Sequence, residues 1–78
     1  MICIATFYSH FGAIRFKRTC DALGWTAKVM PVPRNLSSSC GTCVQYDGDC
    51  PDQPPQEVEQ IVACEEDGYR LLYRAENA

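Results

Sequence analysis

The run Pro55-Gln56-Glu57-Val58-Glu59-Gln60-Ile61-Val62-Ala63-Cys64-Glu65-Glu66 opens on a proline suited to a first helical turn and spaces Val58, Ile61 and Val62 along one helical face. The spacing predicts a second helix from about residue 55 to 66 that stops before Gly68. Working outward, Asp47 to Pro55 is dense in turn formers and reads as a loop, and Tyr69 to Arg74 closes the chain as a strand, with a frayed tail over residues 75–78. At the other end, Ile2-Cys3-Ile4-Ala5-Thr6-Phe7 is apolar on both alternating faces, which suits a central strand. Ser9 is placed to cap a helix from about His10 to Leu23, with Gly24 as its stop and Ala13, Phe16, Cys20 and Leu23 as its buried stripe. Trp25 to Met30 reads as the second strand and Cys43 to Tyr46 as a short third. The resulting order βαββαβ predicts an α+β, ferredoxin-like fold: an antiparallel four-stranded sheet with two helices on one face. Its expected core is Ile4, Ala13, Phe16, Leu23, Val29, Val58, Ile61 and Leu71, in a single domain over residues 1–78 that is ordered over about 2–74.

Size and charge exclude several functional classes. A chain of 78 residues buries only a modest core. A formal charge of −3, without a basic stripe or clustered aromatics for base stacking, argues against nucleic acid as a partner. No apolar run approaches the roughly 20 residues of a bilayer span, so no membrane association is expected. Six cysteines raise the question of a disulfide framework. Against that, the N-terminus lacks the basic and apolar regions of a signal peptide, and Cys3 and Cys20 fall where a reduced thiol serves as a small apolar side chain. The expected setting is reduced and cytoplasmic. The acidic residues concentrate from Asp47 onward, as a solvated face or a docking surface for a basic partner.

The chemistry concentrates in Met30-Pro31-Val32-Pro33-Arg34-Asn35-Leu36-Ser37-Ser38-Ser39-Cys40-Gly41. Two prolines stiffen its start, Arg34 supplies a fixed positive charge that favours a thiolate at Cys40, and Gly41 permits backbone conformations in which amide groups turn toward an anion. The hydroxyls of Ser37, Ser38 and Ser39 add further donors around the sulfur. A loop of this length in so small a domain reads as functional, and the sheet end that carries it is open to another protein.

Pro31-Val32-Pro33-Arg34 followed by Leu36-Ser37-Ser38-Ser39-Cys40-Gly41 resembles the selenium/sulfur carrier-like family of small prokaryotic proteins, as do Ala5-Thr6-Phe7, Ala13 and Gly24. The resemblance covers residues 3 to about 74. It implies a ferredoxin-like domain that is not an enzyme but a carrier. Its Cys40 would hold sulfane sulfur or selenium transiently, with no permanent cofactor, between a donor protein and an acceptor protein. The chain differs from the family pattern in an added Cys43, in Gln45 where a basic residue is usual, and in Cys50.

Three other readings stay open. Cys40-Gly41-Thr42-Cys43 has dithiol spacing, so Cys43 would resolve an adduct on Cys40 by forming a disulfide, or the pair would act as a thiol-redox module. Cys40, Cys43 and Cys50, with Cys64 or His10 as fourth ligand, would suit tetrahedral zinc or iron, although a second close pair is lacking. A pure interaction module, with an idle thiol, is the third.

Overall fold

The structure, a computed structural model, describes residues 1–76. The chain runs β1 (Ile2–Phe7), α1 (His10–Ala22), β2 (Ala27–Pro31), β3 (Thr42–Asp47), β4 (Val58–Glu65) and β5 (Gly68–Arg74). The five strands form one sheet in the order β2-β3-β1-β4-β5, with every pairing antiparallel. This corrects the ferredoxin-like expectation: among the described residues there is one helix, not two, and the sheet has five strands, not four.

The expected second helix is instead β4, and the reason is local. Val58, Ile61 and Val62 are β-branched and favour a pleated surface over a helix. Opposite β1, Thr6 pairs with Gln60 and Phe7 with Val58, so Glu59 is an extra residue, a β-bulge. The bulge shifts the alternation by one place, and Val58 and Ile61, three apart, both enter the cluster under the helix. An i, i+3 spacing thus arises within a strand.

A helix-side core joins Cys3, Ala5, Phe7, Val44, Tyr46, Val58 and Ile61 of the sheet to Ala13, Phe16 and Cys20 of α1. Phe16 meets the Phe7 ring at 5.5 Å and the edge of Tyr46 at 5.2 Å, and Trp25 stacks on Tyr46 at 5.6 Å. Gly48 passes so close beneath Trp25 that a Cβ there would collide with the indole. On the opposite face a smaller cluster of Ile4, Cys43 and Val62 is covered by Met30, Val32, Leu36, Cys64 and Tyr69. The two faces are therefore closed differently, one by a helix and the other partly by the loop between β2 and β3.

Three residues expected in the core are not there. Leu23 caps the helix C-terminus and is 57% exposed, while Val29 (40%) and Leu71 (54%) lie on the edge strands β2 and β5. A second register shift, between Ile61 and Val62, leaves Leu72 as the extra residue of β5, and it packs with Tyr73 against the helix-side core. Within the expected tail, the Ala75 N–H donates to the Glu59 carbonyl at 3.0 Å, and residues 77–78 lie outside the described residues.

Candidate functional site around Cys40

Residues 32–41 form the connection between β2 and β3, whose last pair is Pro31 with Thr42. Three local features close the loop. The Val32 N–H donates to the Gly41 carbonyl at 3.1 Å, the Leu36 N–H to Pro33 at 3.0 Å, and Gly41 turns back with φ +74°, a left-handed conformation that favours glycine. Pro31 ends the edge strand β2 and Pro33 follows in the loop, each ring restricting the backbone there.

The serines tie the loop down to the sheet. Ser38 Oγ donates to the Phe7 carbonyl at 3.5 Å. Ser39 donates twice to Glu59, from its backbone N–H at 3.2 Å and from its hydroxyl at 2.6 Å. The Thr6 hydroxyl, fully buried, donates to the same carboxylate at 3.2 Å, and Gln60 Nε2 donates to the Ser37 carbonyl at 3.0 Å. Ser37, Ser38 and Ser39 line an open cavity of about 280 Å³ with Glu59, Gln60 and Arg74. The sequence gives no signal for Glu59, Gln60 or Arg74: the first two fall on the expected helix and Arg74 on the closing strand, and neither placement points to a loop twenty or more positions earlier.

Cys40 is half-buried, packs against the helix-side core, and points its Sγ at the Thr42 carbonyl, 3.5 Å away. On the other side of Thr42, its hydroxyl lies 3.1 Å from His10 Nδ1. The first turn of α1 therefore borders the thiol, with Phe11 standing 71% exposed beside His10. Arg34 is exposed in the turn, and among the described residues no hydrogen bond or ion pair joins it to Cys40.

Cys43 occupies a different environment. It is fully buried in the cluster on the opposite face, its Sγ directed to the Pro31 carbonyl at 3.7 Å. Burial pushes its thiol up to about 11, with smaller contributions from Cys40 and Cys64. The Cys20 thiol is likewise raised to about 11 by burial, and burial raises those of Cys3, Cys50 and Cys64. Cys40, Cys43, Cys50, Cys64 and His10 do not assemble as a metal site: among the described residues no group of three or more His, Cys, Asp or Glu is placed to hold an ion. Nor does any described helix have the length and apolarity to cross a membrane.

Comparison with known proteins agrees with the loop motif. Residues 2–73 match the family described as "Putative Se/S carrier protein-like". An uncharacterised Escherichia coli (strain K12) protein, YtiA, is 30% identical over 69 residues, which cover 80% of this chain and 76% of that protein. No solved structure matches. The match extends over nearly the whole chain and includes the anchored loop with its cysteine, so the protein belongs to the Se/S carrier-like family.

Proposed function

We propose that the protein is a carrier that holds a sulfur or selenium atom on Cys40 and hands it to a partner protein. The observation that carries this reading is the contrast between Cys40 and Cys43. Cys40 is a loop-borne thiol at the open end of the sheet, on a hairpin anchored by its neighbouring serines, whereas Cys43 is sealed in a core. A carrier needs a nucleophilic sulfur that a second protein can reach, and a rigid mount to present it. Family membership supports the same sulfur or selenium handling and a non-catalytic role.

The transfer step conserves atoms and electrons. The Cys40 thiolate attacks the terminal sulfur of a donor persulfide, a new S–S bond forms at Cys40, the donor's own S–S bond breaks, and the donor thiolate leaves. Delivery repeats the exchange with the acceptor as nucleophile and Cys40 as leaving thiolate, and selenium follows the same path. Cys43 does not serve as a resolving thiol in this scheme. Its sulfur faces the opposite side of β3, and bridging to Cys40 would require backbone movement.

Intact mass measurement under non-reducing conditions, after incubation with a persulfide- or selenopersulfide-donating system, tests the proposal. Wild-type protein and Cys43→Ser should both gain and hold about 32 Da for sulfur or about 79 Da for selenium on the thiolate. Cys40→Ser should gain neither. An adduct that persists in Cys40→Ser, or none in wild-type protein with a competent donor, overturns the carrier reading.

A further inference from the structure

We infer that Glu59 is the positioning residue of the Cys40 loop: its carboxylate, thrust out of register by the β-bulge, clamps the residue next to the carrier thiol onto the sheet. The inference rests on the reading of Cys40 as the working sulfur. Three donors converge on this one side chain. Two belong to Ser39, immediately before Cys40, and the third is the buried hydroxyl of Thr6 on the central strand. The Thr6 contact makes the anchor rigid, since β1 is paired on both sides. Charge-assisted bonds to a carboxylate are the stronger kind, and the 2.6 Å contact from the Ser39 hydroxyl has the length of such a bond.

The bulge accounts for how β4 can do this. In a regular strand, successive side chains point to opposite faces, so Glu59 and Gln60 would not both reach one loop. Glu59 is the unpaired extra residue between the pairs Thr6 with Gln60 and Phe7 with Val58, and bulges beside functional sites characteristically re-aim a side chain. With Glu59 on Ser39 and Gln60 on the Ser37 carbonyl, consecutive residues hold alternate residues of the loop. Cys40 is then fixed with its sulfur toward the Thr42 carbonyl.

The test uses hydrogen exchange and iodoacetamide mapping, neither of which requires a sulfur donor. In Glu59→Ala, which removes both Ser39 bonds to the carboxylate, exchange across residues 37–40 should rise about tenfold or more. Alkylation of Cys40 should rise at least threefold, while alkylation of Cys50 stays at the wild-type rate. Glu59→Gln keeps one carbonyl oxygen in place and should recover most of the protection. If Glu59→Ala does not fold, Ser39→Ala removes the hydroxyl partner alone and should raise Cys40 alkylation in the same direction. Unchanged exchange at residues 37–40, or Cys40 and Cys50 accelerating together, overturns the clamp. Since these readouts are independent of loading, failure of wild-type protein to take up sulfur would remove the carrier function and leave the clamp standing.

Discussion

Cys40 and Cys43 stand three positions apart, and that interval places them on two faces of the sheet. The chemistry of the buried thiols has a consequence for stability. Cys43 and Cys20 hold their protons up to about 11 when folded, whereas in the unfolded chain a thiol titrates near 8.5. Between those values the folded state binds more protons than the unfolded state, so the free energy of unfolding falls as pH rises. The contribution is fully present below about pH 8.5 and is lost by about pH 11. Urea titrations at pH 8, 9, 10 and 11 should therefore show a steadily falling midpoint, and the fall should be shallower in Cys43→Ala, whose replacement does not titrate. A flat profile in wild-type protein would contradict the burial argument. The pairing of C-x-x-C residues is a case where spacing misleads: a four-residue motif that opens a strand sends its two sulfurs apart, while at a helix N-terminus it brings them together.

At the scale of elements, α1 was legible and β4 was not. The helix announces itself through Ser9, whose side chain accepts the Gly12 N–H at 3.2 Å, and through the stripe Ala13, Phe16 and Cys20, all buried. Ser9→Ala should cost about 1 kcal/mol in chemical denaturation, the usual loss for an N-cap, with the helix otherwise retained. Its cost would be smaller if tertiary contacts alone held the first turn. β1 was equally clear, because a run apolar on both faces has a natural place at the centre of a sheet, and there it lies. β4 is also buried on both faces, but its bulge turns a strand's alternation into a helix-like spacing of Val58 and Ile61. No local pattern signals a bulge of this kind, since its cause is the pairing with Thr6 and Phe7 some fifty residues away. The same hidden feature concealed the site: Cys40, the serines and Gly41 stood out in the loop motif, whereas Glu59 and Gln60 became visible only once β4 was a strand beside them.

For the molecule as a whole, one loop serves two ends. It presents Cys40 near the first turn of α1, and with Val32 and Leu36 it covers the small core of Ile4, Cys43 and Val62 on the face that has no helix. In a domain of this size a core of three buried residues has little reserve, so the loop cannot be loosened for chemistry without exposing it. Leu36→Ala tests this coupling directly. The side chain is half-buried, so its loss should cost about 1–2 kcal/mol, below the range for fully buried leucines. The more specific consequence concerns Cys43. With Leu36 gone, the cluster opens to water, and Cys43 should alkylate several-fold faster than in wild-type protein, while Cys3 and Cys20, under the helix on the other face, stay slow. Ser39 remains held by Glu59 in this variant, so hydrogen exchange across residues 37–40 should change little. Equal acceleration of all three buried cysteines would mean that the whole domain loosens as one unit. Acceleration confined to Cys43, with residues 37–40 still protected, would establish that Leu36 seals the helix-free core while Glu59 anchors the Cys40 end of the same loop.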